Sequence, residues 1–188
     1  MATVVLFHSV YGLRSLERES AERLRAAGHE VFTPDLYEGK VARSIDEGFE
    51  LKEAIGWPTL CERAEKATAA LPASAVLGGF SMGVGITAHL WPMRPLTAGV
   101  LLLHAVGGIP VNVRSRLPAQ VHLADPDRFA PADEVAAWQV AAARSGMSAE
   151  IFKYPGVGHL YTDPTLPDYD AESAERTWSR VIGFLGAL

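Results

Sequence analysis

The chain has 188 residues, 48% hydrophobic and 21% charged, with a net charge of −5, which fits one globular domain over residues 1–188 and excludes general disorder. The acidic balance comes without any basic run, which argues against nucleic acid and anionic membrane surfaces as partners. Cys61 is the lone cysteine and excludes an internal disulfide, so a reducing, cytoplasmic setting is expected.

The N-terminal run TVVLF, Thr3 to Phe7, is β-branched and apolar throughout, as a strand covered on both faces should be. It lacks the basic flank and small-residue cleavage site of a signal peptide. Leu13, Leu16, Ser20, Leu24 and Ala27 follow at helical spacing, with Gly28 where a helix C′ glycine belongs. HEVFTPD gives a second strand ending at Pro34. The charged stretch from Tyr37 to Trp57 is expected to form a long loop with one short helix. From Pro58 to Leu71, Leu60, Cys61, Ala64, Ala67 and Leu71 share one helical face. SAVLGGF is the third strand, and a helix runs from about Met82 to Leu90. AGVLLLH (Ala98 to His104) and AQVHLA (Ala119 to Ala124) are the fourth and fifth strands. Pro131 to Ser145 is helical and closes at Gly146. SAEIFKY (Ser148 to Tyr154) is the sixth strand, and Ala171, Ala174, Trp178, Val181, Ile182 and Leu185 stripe a last helix. No apolar run is long enough to span a bilayer.

Strand–helix alternation of this kind predicts an α/β fold: a mostly parallel sheet of about six strands with helices on both faces. Ligands of such sheets bind where the strands end. The loops of interest therefore follow Phe7, Pro34, Phe80, His104, Ala124 and Tyr154.

One of these loops carries Gly79-Phe80-Ser81-Met82-Gly83, a Gly-x-Ser-x-Gly nucleophile elbow between a strand and a helix. The turn is tight enough to demand glycine on both sides, and it lifts the Ser81 hydroxyl clear of the sheet. A serine needs a base within hydrogen-bond reach and a carboxylate to orient that base. His159 lies in YPGVGHLYTD after the sixth strand, where a loop can bend it back over the sheet. The acid is expected after the fifth strand, where HLADPDRFAP offers Asp125 and Asp127. Asp127 is preferred because Pro126 breaks the strand and Phe129 and Pro131 anchor the loop. Two backbone donors are required for the oxyanion, and the N–H groups of Met82 and Val10 are best placed to supply them. His8, Ser9, Tyr11, Phe129, Leu160 and Tyr161 are candidates for the pocket wall. There is no His-Glu-x-x-His, no Cys-x-x-Cys and no residue cluster with metal spacing, so no metal or cofactor is expected.

SVYGL after the first strand, PDLY after the second, GGFSMG, DRFAP and GVGHLYTD occur in this order over nearly the whole chain. Together they resemble the dienelactone hydrolase family of α/β hydrolases. The resemblance implies a compact α/β-hydrolase fold, no cofactor, and a triad of nucleophile Ser81, acid Asp127 and base His159. The better-known members carry a cysteine nucleophile and a restraining glutamate in the loop after the first strand; Ser81 and Ser9 stand at those places here. The expected activity is hydrolysis of a small carboxylic ester, lactone or thioester through an acyl-enzyme. An acyltransferase built on the same triad and a non-catalytic small-ligand binder are the alternatives. The oligomeric state is left open.

Overall fold

A computed structural model describes residues 1–188. Six strands form one sheet: β1 (Thr3–Phe7), β2 (Glu30–Phe32), β3 (Val76–Phe80), β4 (Val100–Leu103), β5 (Pro118–Asp125) and β6 (Ser148–Pro155). Their order is β2-β1-β3-β4-β5-β6, and every neighbouring pair is parallel. The helices are α1 (Ser15–Ala26), α2 (Ile45–Ile55), α3 (Trp57–Thr68), α4 (Met82–Leu90), α5 (Ala132–Ser145) and α6 (Ala171–Gly186).

The apolar strands divide by residue parity, as side chains on a pleated sheet must. Val4, Leu6, Val76, Leu101 and Leu103 pack with Leu16 and Leu24 of α1 and Trp178, Val181 and Leu185 of α6. Val5, Phe7, Leu77, Val100, Leu102 and Val121 face the other way, onto Leu60 and Ala64 of α3, Val84 and Ile86 of α4 and Val135 and Trp138 of α5. The sheet is thus buried on both faces, which is why its strands read as continuous apolar runs.

Two stretches differ from the sequence expectation. The second strand shrinks to Glu30–Phe32 because Pro34 cannot extend the ladder and Asp35 builds a turn. The Asp35 carboxylate accepts the Tyr37 N–H at 2.9 Å and the Gly39 N–H at 2.7 Å. The segment expected as a loop with one short helix holds the 11-residue α2, and Trp57 already opens α3. Ser44 caps α2 by accepting the Glu47 N–H at 3.2 Å, and the Glu47 carboxylate reaches back to the Arg43 N–H at 2.7 Å. Its apolar stripe escapes notice because Gly48 is the helix's one buried residue.

The chain turns back at β1. β2 lies on one side of it and β3 on the other, so the loops after β1 and β3 leave the sheet next to each other. That is the switch point at which sheets of this kind open a crevice.

Candidate active site

Gly79 of β3 lies so close to α4 that a β-carbon there would be 2.3 Å from the Gly83 backbone. One on Gly83 would lie 2.3 Å from the Phe7 carbonyl oxygen of β1. Neither glycine can be replaced without moving α4 off the sheet. Between them Ser81 is held at φ +49°, ψ −105°, a left-handed conformation that side-chain-bearing residues avoid. Its own N–H donates to the Leu103 carbonyl of β4 at 2.8 Å. The hydroxyl therefore stands above the sheet at the N-terminus of α4.

The Ser81 Oγ lies 2.8 Å from His159 Nε2, and His159 Nδ1 lies 2.6 Å from Asp127 Oδ2. The second Asp127 oxygen accepts the Phe129 N–H at 2.9 Å, so both lone-pair faces of the carboxylate are used. The His159 and Asp127 side chains are 7% and 1% exposed, and the Phe129 ring lies 4.6 Å from the imidazole, centroid to centroid. Little water reaches the imidazole–carboxylate bond. Asp125, by contrast, is exposed, and its backbone carbonyl accepts the Gly156 N–H at 2.9 Å. Asp163 is fully buried but committed elsewhere, paired with Arg14 and accepting from the Thr165 N–H and hydroxyl.

The loop that carries His159 is held by Asp168, whose carboxylate packs on Gly158 and accepts the Leu160 N–H at 3.1 Å. Val10 follows β1 and its N–H donates to no protein group. Met82 is the first residue of α4, where an N–H has no intrahelical acceptor. Tyr37 packs beneath, its hydroxyl 3.3 Å from the Met82 sulfur.

Two cavities flank the serine. One of about 410 Å³ is lined by Tyr11, Ile45, Arg128, Phe129, His159 and Leu160, among others. The second, about 270 Å³, is lined by Val10, Phe49, Lys52, Trp57, Ser81, Met82, Gly85, Ala105 and Phe129. Phe129 is the wall between them. The indole of Trp57 lies directly over Gly85, where a β-carbon would come within 2.9 Å of it.

Of the candidate wall residues, Tyr11, Phe129 and Leu160 therefore line a cavity. His8, Ser9 and Tyr161 line neither of these two cavities, and all three are fully buried. His8 accepts the Leu36 N–H at 3.1 Å, the Ser9 hydroxyl accepts the Tyr11 N–H at 3.3 Å, and the Tyr161 hydroxyl pairs with Thr177 at 2.7 Å. The sequence reading missed Phe49, Lys52 and Trp57. The first two sit three apart on α2, and the Ser44-x-x-Glu47 cap was the available sign that a helix begins there.

The profile of the dienelactone hydrolase family matches residues 1–188. The chain belongs to the dienelactone hydrolase family. It is 22% identical over 200 residues to a protein of Aquifex aeolicus named "Putative carboxymethylenebutenolidase", covering 96% of this chain and 86% of that one. Among solved structures it is similar to a dienelactone hydrolase-like promiscuous phosphotriesterase from metagenomic libraries, with TM-score 0.76 and 20% identity over 100% of this chain and 87% of the other. It is also similar to a "Putative Dienelactone Hydrolase" of Klebsiella pneumoniae, with TM-score 0.80 and 19% identity over 100% and 88% of the two chains. As a member of the dienelactone hydrolase family the protein is a hydrolase of α/β fold. None of its helices is long and apolar enough to cross a membrane.

Proposed function

We propose that this dienelactone hydrolase relative is a serine hydrolase that cleaves a small carboxylic ester, lactone or thioester through an acyl-enzyme. The observation that carries the reading is the unbroken chain of contacts Ser81 Oγ–His159 Nε2–His159 Nδ1–Asp127 Oδ2, at 2.8 and 2.6 Å. In the working tautomer, the Nδ1–H of His159 donates to Asp127 and Nε2 accepts the Ser81 hydroxyl. As Ser81 Oγ bonds to the substrate carbonyl carbon, its proton passes to His159 Nε2. The Val10 and Met82 N–H groups receive the oxyanion. Collapse of this tetrahedral species breaks the bond to the leaving group, which takes the proton from His159. Water then adds to the acyl carbon, giving up a proton to Nε2. The second collapse returns that proton to Ser81 and frees the carboxylic acid.

Two features support serine over thiol chemistry. Cys61 is the lone cysteine and lies buried in α3 among core side chains. Burial, and then the nearby Glu65, push its thiol pKa up, away from the reactive thiolate. A lone unpaired cysteine also fits a cytoplasmic setting, and the shared cores on the two sheet faces fit one domain over residues 1–188.

Purified protein should hydrolyse p-nitrophenyl acetate or butyrate, and a fluorophosphonate probe should add to the peptide containing Ser81 and not to a Ser81→Ala variant. Iodoacetamide should leave the rate unchanged. Labelling that maps elsewhere, or activity lost on alkylation of Cys61, would overturn the reading. Alcohols added to the assay separate hydrolysis from acyl transfer by whether they trap the acyl group.

A further inference from the structure

His104 follows β4, and its backbone has φ +69°, one of four left-handed non-glycine residues in the chain. Its imidazole is fully buried. The ring lies stacked at 6.2 Å on Phe80, the residue before the nucleophile, and edge-on at 6.1 Å to His159. A third contact, edge-on at 4.9 Å, is with Tyr161. The Nε2 is 2.7 Å from the Thr162 hydroxyl. The Nδ1 is buried without a hydrogen-bond partner.

A buried polar ring beside apolar neighbours is costly when one nitrogen is left unpaired, and a left-handed backbone adds strain. Sequence positions that break local rules in this way concentrate at functional sites. Here the geometry supplies the function. Leu103 accepts the Ser81 N–H at 2.8 Å, and the very next residue reaches across to the loop that carries His159. Nucleophile and base thus hang from the same two residues at the end of β4.

We propose that His104 is a positioning residue, which fixes the distance between Ser81 and His159 by holding the His159 loop at the Thr162 hydroxyl. The inference rests on the triad reading above. In this role the ring stays neutral. Burial, and then the neighbouring His159 and His122, hold its pKa well below the ordinary histidine value. With Nε2 accepting from Thr162, Nδ1 carries the hydrogen.

The test uses His104→Phe, His104→Gln and Thr162→Val in the intact protein, assayed with p-nitrophenyl butyrate beside melting curves. His104→Phe keeps an aromatic ring and removes the polar grip; Thr162→Val keeps the shape and removes the same grip from the other side. Both should lower kcat about tenfold or more, with KM and melting temperature little changed. His104→Gln should recover most of the rate through its side-chain amide. The double variant His104→Phe/Thr162→Val should be no slower than His104→Phe alone, because the two act through one contact. The far-downfield N–H resonance of the His159–Asp127 bond should broaden or move in both single variants. Wild-type kcat in Thr162→Val and His104→Phe, a loss that merely tracks unfolding, or strictly additive losses would overturn the proposal. If His104→Phe does not fold, Thr162→Val decides alone. Wild-type protein that the fluorophosphonate probe does not label at Ser81 would instead overturn the triad reading on which this inference stands.

Discussion

Asp125 and Asp127 stand on either side of Pro126, and only Asp127 reaches the imidazole. Its two oxygens are spoken for by His159 Nδ1 and the Phe129 N–H, so an amide in its place would present an N–H to a nitrogen that must itself donate. In a serine protease triad such a change costs about four powers of ten in turnover, and Asp127→Asn should lose activity on that order. Asp125→Asn, with an exposed side chain, should lose less than about tenfold. Steady-state kinetics on both variants, with melting curves to exclude unfolding, decide the matter; the reverse ranking would move the acid to Asp125. At this scale the sequence was most legible where a motif and chain order coincide: Ser81, Asp127 and His159 were expected to meet, and they lie in hydrogen-bond contact. It was least legible for His8, Ser9 and Tyr161. They follow strands on the correct edge of the sheet, but neighbouring loops fold over them, and nothing local announces that cover.

Among the elements, α1 carries a buried acid that the sequence pattern gave no reason to notice. Glu17 is fully buried. It accepts the Arg14 N–H at 2.9 Å, closing a capping box, and the Ser9 N–H at 3.4 Å, just ahead of Val10. Burial raises its pKa, partly opposed by these hydrogen bonds and by Arg14. The folded state therefore keeps a proton that the unfolded chain sheds above about pH 4.3. Native protein binds more protons than unfolded protein across that window, so this group's contribution falls as pH rises from the unfolded pKa through the folded one. Glu17→Gln keeps an acceptor without the charge. Its melting temperature should exceed that of wild type near pH 8 and converge with it near pH 4, each kcal/mol regained raising it by about 2–4 °C. A gap that widens toward acid would mean Glu17 is stabilised as the anion. The helix α2 shows the opposite failure of legibility. Strands announce themselves by burial on both faces, whereas α2 presents Phe49 to the cavity at 40% exposure and buries a glycine, so its periodicity carries little apolar signal. Only its cap spoke for it.

Across the whole molecule, anchorage falls off from the centre of the sheet outward. β1, β3 and β4 are buried along nearly their whole length. They lead into the Val10 loop, Ser81 and His104, whose ring lies against Phe80 and His159. α2 rests on that loop through Ile45 and Leu51, packed against the cluster that holds Val10 and Tyr11, and through Gly48, where a β-carbon would lie 2.7 Å from the Val10 carbonyl oxygen. Local opening follows buried apolar contact and not hydrogen bonding alone. Amide exchange in native conditions should therefore be fastest, among the helices, in α2 and slowest in β1, β3 and β4. Protection of α2 equal to that of the central strands would show that it is clamped as part of the core.

That gradient bears on how the enzyme can change over evolutionary time. Phe49 and Lys52 shape the smaller cavity from a helix that buries little, while Ser81 stands at the end of β3 in the buried centre of the sheet. Substitutions in α2 can accumulate without crossing the folding threshold, so neighbouring sequences can diverge in which acyl groups they accept while the chemistry beneath stays fixed. A library confined to Ile45, Phe49 and Lys52 would sample new selectivities from a nearly constant pool of folded protein.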